Sequence, residues 1–274
     1  ILPAFTGFTE VINNSPAAVQ NSGWEYTINT TIISTGKFKW QINGNVGTNR
    51  NKLLRYDNLD QSPYANIYVV GQSLNIQKLL HYTGVDPATG QYSFEDVDKD
   101  GTIDAGASSK DKIVIDNSAD YMGGIGTQLK YGAFELFVFA NFVKQRGYNA
   151  LMSTFIAGTI TNQPATVLGR WQKPGDISDI GRFTTVGASS DVYFYFVSDG
   201  IFTNASFLRL QNLSASYTFP DRFFKKSGFK DVRMYIQGQN LATITNYKGI
   251  DPETQNFGGF PPTKVFTAGI RFTY

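Results

Sequence analysis

Val265-Phe266-Thr267-Ala268-Gly269-Ile270-Arg271-Phe272-Thr273-Tyr274 alternates from end to end. Phe266, Ala268, Ile270, Phe272 and Tyr274 fall on one face of a strand, and Val265, Thr267, Gly269, Arg271 and Thr273 fall on the other. A period of two marks a strand with a different environment on each side. The apolar face continues to an aromatic last residue, where soluble domains usually fray into polar chain. Such a strand needs lipid or a tightly packed partner. Soluble sandwiches also close on aromatic-ended strands, so this stretch alone leaves both open.

Working outward, Val232 to Leu241 alternates in the same way, with Arg233, Gln237 and Gln239 on its polar face. Phe207 to Phe219 alternates with a phase slip between Leu210 and Leu213, the mark of a bulge. Trp24, Tyr26, Ile28 and Ile32 oppose Glu25, Thr27, Asn29 and Thr31. After a turn at Ser34-Thr35-Gly36, Phe38, Trp40, Ile42 and Val46 oppose Lys37, Lys39, Gln41, Asn43 and Asn45. Two lysines and two asparagines on one face suit a wet lumen better than a dry core. Gly124 to Tyr131 and Phe134 to Phe142 make a hairpin across Gly132-Ala133, although Phe137 and Phe139 lie on its otherwise polar face.

Composition agrees with a wall of strands. No run of 18 apolar residues occurs, so no transmembrane helix is predicted; barrel strands alternate and give no such run. The 22 Phe and 15 Tyr exceed the needs of a soluble core and would supply interfacial girdles. A net charge of +2 argues against a nucleic-acid partner held by phosphate contacts. With no cysteine there are no disulfides, thiolates or cysteine zinc sites. Ile1-Leu2-Pro3-Ala4-Phe5 has no signal-peptide pattern. Residues 1–23, with Pro3, Gly7, Pro16 and Gly23, read as loop.

Counting gives about nine strands, including a short pair within residues 65–82 (Ile67 to Val70 and Leu79-Leu80). Short and long connections alternate, as in transmembrane barrels with short periplasmic turns and long external loops. The reading is therefore an all-β, antiparallel transmembrane β-barrel, of which residues 1–274 form a part. Long extracellular loops are expected near residues 48–65, 83–120, 144–205 and 245–262. The excursion from 48 to 120 must hold an even number of wall strands, which the pair at 65–82 supplies. An odd total cannot close a single-chain bacterial barrel, so more wall is required.

Asn204-Ala205-Ser206-Phe207-Leu208-Arg209-Leu210, Gly238-Gln239-Asn240-Leu241, Tyr247-Lys248-Gly249-Ile250-Asp251-Pro252-Glu253 and the aromatic end resemble the C-terminal signature of SusC/RagA-type TonB-dependent outer-membrane transporters. Leu2-Pro3, Thr6-Gly7-Phe8 and Asn21-Ser22-Gly23-Trp24-Glu25 resemble a mid-barrel stretch of the same family. The resemblance implies that residues 1–274 are the C-terminal part of such a barrel. It also implies active import of oligosaccharides or oligopeptides across the bacterial outer membrane. It implies as partners a SusD-like surface lipoprotein, the TonB complex, outer-membrane lipid, and remaining barrel and plug segments; the plug is not in this sequence. The closing strand would be read by the assembly machinery. The alternative reading is a soluble, calcium-stabilised β-sandwich adhesin or glycan-binding module.

One local motif points to a cation. Asp96, Asp98, Asp100 and Asp104, with Gly101 between them, follow the spacing of an EF-hand calcium loop, and the Thr102 carbonyl falls at its seventh position. Four carboxylates in nine residues repel one another by roughly 1 kcal/mol per close pair even in water. Position 12 is Ala107, and the flanks read as strand. The transporter family has a similar acidic loop followed by an acidic residue, and with Ala105 to Lys110 read as an insertion this resemblance implies that role for Asp111, giving a Ca²⁺ set of Asp96, Asp98, Asp100, Thr102, Asp104 and Asp111. A solvated acidic turn is the plainer reading of the same residues. Nothing points to an enzyme: His81 is the lone histidine, and no phosphate loop or nucleophile elbow occurs. His81 reads as structural. Tyr193-Phe194-Tyr195-Phe196 reads as strand or interface rather than a sugar-stacking platform, and Arg170-Trp171 resembles a family loop.

Overall fold

A computed structural model describes residues 15–149, 157–158, 162–184 and 189–274. The family-like Leu2-Pro3 and Thr6-Gly7-Phe8 lie outside the described residues. In chain order the strands are β1 (Ala17–Thr35), β2 (Phe38–Tyr56), β3 (Ile76–Leu80), β4 (Tyr82–Val85), β5 (Tyr92–Phe94), β6 (Lys112–Asp116), β7 (Tyr121–Tyr131), β8 (Phe134–Lys144), β9 (Arg146–Tyr148), β10 (Phe202–Asn204), β11 (Phe207–Thr218), β12 (Lys230–Thr245) and β13 (Val265–Thr273). A short helix, α1 (Ser190–Phe196), precedes β10.

Seven strands form one antiparallel sheet in the order β1-β2-β7-β8-β11-β12-β13, a meander that skips only the strands inside loops. Among the described residues the wall therefore has seven strands, not nine. β2 pairs directly with β7, from Phe38 opposite Tyr131 to Gly47 opposite Met122. The excursion between them adds no wall strand, and zero satisfies the parity as well as two. The expected pair at 65–82 fails for a local reason. The Tyr64 carbonyl accepts the N–H groups of Ile67 and Tyr68 in a helical turn, stacking Tyr68 on Tyr64 with ring centroids 5.4 Å apart. Leu79 and Leu80 do lie in a strand, but β3 pairs with β6.

The first hairpin is longer than its alternation. Pairing of β1 with β2 begins at Ala17 opposite Tyr56, so residues 17–23 and 48–56 are strand where loop was expected. Asn21, Ser22, Asn49, Arg50 and Lys52 put polar groups on both faces there, which hid the period; the backbone ladder does not need one. The bulge in β11 is present: both of its pairings slip between Leu210 and Asn212. Short turns close one edge of the wall. Gly132 takes a φ of +58°, which a side chain would strain. Its N–H donates to the Lys37 carbonyl and Thr218 N–H donates to the Ala133 carbonyl, tying successive turns together.

Buried apolar side chains gather beyond the other edge. Leu53, Ile76, Leu79, Leu80, Val192, Tyr195 and Ile201 form a core shared by the top of β2, the excursion 57–120 and the segment 145–206.

Candidate functional site

Register carries each side chain to a defined face of the wall. On one face lie Phe38, Tyr131, Phe134 and Tyr217 in a row, then Trp40, Leu129, Leu136 and Ala215, then Ile42, Thr127, Val138 and Leu213. This face is bare: Ile28, Ile125, Ile236, Ile270 and Phe266 are all more than half exposed. Two aromatic rows bound it. The first holds Phe38, Tyr131, Phe134 and Tyr217, with the Phe134 and Tyr217 rings 4.6 Å apart. The second holds Trp24, Tyr121 and Phe142, the last two paired at 6.2 Å. Tyr131 lies ten positions after Tyr121, about 33 Å along a strand. With the strand tilt of a barrel this becomes a band about 25 Å tall, the height of the apolar belt of outer-membrane barrels. The one indole N–H within this band is satisfied: Trp40 Nε1 donates to Thr127 Oγ1 at 2.9 Å. Without that hydroxyl a polar group would face hydrocarbon unpaired.

The opposite face is wet. Asn29, Thr31, Gln41, Asn43, Gln128 and Phe137 line a hollow on it. Nearer the short turns, Gln128 Nε2 donates to Glu135 at 2.6 Å, Arg233 pairs with Glu135 at 3.3 Å, and Arg233 donates to Ser216 Oγ at 2.7 Å. Phe139 lies over Gly124, where a Cβ would sit 2.6 Å from its ring. The tip of an aromatic ring thus fills the space beside a strand that carries no side chain of its own there.

Above the wall the loops fold onto one another. Leu80 N–H donates to the Val197 carbonyl, Trp171 Nε1 donates to the Pro87 carbonyl at 2.9 Å, and the Arg170 guanidinium lies 3.5 Å over the Phe183 ring. Asp199 accepts from Tyr82 N–H at 2.7 Å and meets His81 Nδ1 at 2.8 Å, so the lone histidine joins the two loops. Tyr193 to Phe196 belongs to α1, not to a strand. The helix sends Val192 and Tyr195 to the same side, three residues apart. There Tyr195 stacks on Tyr92 at 4.6 Å and meets Tyr82 edge-on at 5.3 Å. Burial pushes the Tyr195 phenol up to about 12 and raises Tyr82 and Tyr92 as well.

The last loop is clipped to the wall by a group that sequence reading quoted but did not single out. Arg209 is 3% exposed on the wet face of β11. It pairs with Asp251, donates to Glu253 Oε2 at 2.6 Å and to Thr243 Oγ1 at 3.1 Å. Gln145 donates to the Pro252 carbonyl at 2.8 Å and Tyr247 to the Tyr148 carbonyl at 2.6 Å.

Of the six residues expected around a cation, three converge. Asp96, Asp98 and Asp111 bring carboxylate oxygens within 4.8 Å of one another. Asp111, 3% exposed, folds back onto the loop and accepts from Val97 N–H at 3.0 Å and Asp104 N–H at 2.8 Å. Asp100 is turned to the Thr102 hydroxyl and N–H, and Asp104 accepts from Gly106 N–H. Reduced hydration, then the neighbouring Asp100 charge, holds Asp98 above the usual carboxylate range, whereas the Thr102 hydroxyl lowers Asp100.

No protein-family model matches the chain. Over its whole length it is 26% identical to TonB-dependent receptor P3 of Formosa agariphila and 24% identical to TonB-dependent receptor SusC of Bacteroides thetaiotaomicron. It covers 30% and 28% of those two proteins, so it spans under a third of the curated relatives it matches. Among solved structures, the RagAB peptide transporter superposes over 99% of the chain with a TM-score of 0.78 at 23% identity, the chain covering 31% of that protein. A second RagAB structure, the peptide importer in its open-open state, gives a TM-score of 0.77. An apolar belt on one face, a wet opposite face and these likenesses place the chain in the bacterial outer membrane as part of a β-barrel wall, similar along its whole length to the SusC/RagA-type TonB-dependent transporters.

Proposed function

We propose that the protein to which this wall belongs is a nutrient importer and not an enzyme. It takes up oligosaccharides or oligopeptides through the lumen lined by the polar face, draws energy through TonB, and works with a SusD-like surface lipoprotein. The observation that carries the reading is the two-faced sheet, whose apolar belt has the height of a bilayer core and whose other face offers amides, hydroxyls and ion pairs. The long loops 57–120, 145–206 and 246–264 would lie outside the cell, where a lipoprotein partner is reached. The whole transporter tests the transport claim. Deleting its gene should abolish accumulation of either labelled oligosaccharides or labelled oligopeptides, and removing TonB should have the same effect. Unchanged uptake of both classes would overturn it. Wall orientation is tested separately, since the chain has no cysteine of its own. Cysteines at Lys39 and Gln41 should react with a membrane-impermeant thiol reagent, and cysteines at Phe38 and Ile42 should be protected.

For the acidic loop we propose a structural Ca²⁺, with Asp96, Asp98 and Asp111 as its first ligands and Asp100, Asp104 and the Thr102 carbonyl completing the set by small rotations. The closeness of three like charges supports this reading. Calcium would stiffen the external loop and would bind weakly, near the millimolar range of extracellular modules. Because Asp98 titrates above the usual range, binding should begin to weaken at a higher pH than at an ordinary carboxylate site. Calorimetry on the intact transporter decides, and no heat at several millimolar Ca²⁺ would leave only an acidic turn.

A further inference from the structure

The third short turn is not short. The first two connections on that edge, at Gly36-Lys37 and Gly132-Ala133, take two residues each, whereas residues 219–229 separate β11 from β12. This segment opens with a single 3-10 turn at Asp221–Phe223 and reverses at Gly228, which has a φ of +75°. A hairpin needs none of this length.

Its side chains are of two kinds. Phe219 meets Tyr217 edge-on at 5.0 Å and Phe224 edge-on at 5.9 Å, and Phe229 packs on Phe272 at 4.6 Å. Tyr217 belongs to the aromatic row that bounds the apolar belt, so these rings extend that row past the end of the wall. Phe223 remains 64% exposed, with the Arg222 guanidinium 5.3 Å over it. The other kind is basic. Arg222, Lys225, Lys226 and Lys230 are all exposed, against Asp221 and Asp231, which leaves two positive charges beside bare phenylalanine rings. Every ion pair involving a basic side chain among the described residues lies elsewhere.

Aromatic rings continuous with a lipid belt, in the same turn as exposed cations, match the headgroup layer of a bilayer. Rings rest at the boundary between acyl chains and headgroups, and long basic side chains reach out of it to phosphates. We infer that the turn 219–230 is a binding edge for anionic phospholipid headgroups in the leaflet at the short-turn end of the wall. Charge complementarity and continuity with the apolar belt select lipid over a soluble partner. The inference rests on the membrane-wall reading and goes beyond it by assigning a lipid class to one turn.

The test uses the intact transporter in nanodiscs of phosphatidylethanolamine with phosphatidylglycerol as the minor component. Lipid retained after mild detergent extraction is quantified by mass spectrometry for the wild type and for R222Q/K225Q/K226Q/K230Q. The wild type should retain phosphatidylglycerol over phosphatidylethanolamine about fivefold more strongly than the variant at low salt, the worth of roughly one surface cation. The difference should collapse near 1 M salt, where charges are screened within about 3 Å. K225R/K226R should behave as the wild type. Heat-dependent electrophoretic mobility confirms that each form is a folded barrel. Equal retention by wild type and glutamine variant overturns the inference. So does loss of a cross-linked periplasmic protein without any lipid preference, because the turn would then be a protein-docking site. Failure of the wild type to enter nanodiscs would instead strike at the membrane wall itself.

Discussion

Arg209 sets the position of the last loop. Its guanidinium is nearly dry and holds two carboxylates, one of them, Asp251, 6% exposed. Asp251 in turn accepts the N–H groups of Glu253 and Thr254, each at 3.0 Å, so the same residue caps a turn and closes the clip. Removing one partner of such a pair leaves a buried charge without compensation, at a cost of about 3–5 kcal/mol. Arg209→Ala should therefore release the loop between Tyr247 and Gln255 while leaving the ladder of β11 and β12 intact. Limited proteolysis of the intact transporter checks this: new cleavage should appear within residues 246–264 and nowhere in the wall. Resistance equal to the wild type would mean that Gln145 and Tyr247 suffice to hold the loop. The motif around Arg209 was legible in the sequence and its neighbours were not, because Asp251 and Glu253 are 42 and 44 residues away and no periodicity links them. Thr127 was unreadable for a similar reason. A hydroxyl on an apolar face looks like a flaw until the indole of Trp40 is placed diagonally across from it on β2.

Among the elements, the wall strands were legible and the loop elements were not. Alternation reports two environments, and β2, β8 and β12 have two. In the loops both sides of a segment meet protein, so the period vanishes and aromatic content becomes ambiguous. Tyr193 to Phe196 has the composition of a strand, yet helical spacing is what allows Val192 and Tyr195 to enter one core together. Ile67 to Val70 fails in the same way, with Ile67 and Val70 each about half exposed on a turn. The tyrosine cluster gives a consequence at this scale. Tyr195, Tyr82 and Tyr92 are raised by burial, so the folded loops bind protons that an unfolded loop would release. Their contribution to stability is complete below the ordinary tyrosine range near pH 10. It is lost as pH climbs through the folded value, about 12 for Tyr195. Hydrogen exchange in α1 and β4 should accelerate over that interval, ahead of any change in the wall strands. Tyr195→Phe should weaken the loop core even at neutral pH by about 1–2 kcal/mol, since the Tyr195 hydroxyl donates to the Gly200 carbonyl at 2.8 Å.

For the whole molecule, the decisive feature is that the sheet does not close. β1 and β13 are its two edges, 19 and 9 residues long, and neither has a second partner among the described residues. An open edge cannot stand in hydrocarbon, because each unpaired amide there costs several kcal/mol. In water it would template pairing with another chain, and the bare apolar face would add to that tendency. The wall is therefore stable only with further strands on both sides, which agrees with its span of under a third of its relatives. It follows that the 274-residue chain produced by itself should associate. Refolded into detergent, it should elute as a broad distribution of oligomers by light scattering, and in buffer alone it should precipitate. The complete transporter should be monodisperse in the same detergent. The competing sandwich reading gives the opposite outcome, since two sheets packed face to face would bury the apolar side of β2 and β8 without lipid. A monodisperse monomer of the isolated chain in detergent-free buffer would overturn the wall.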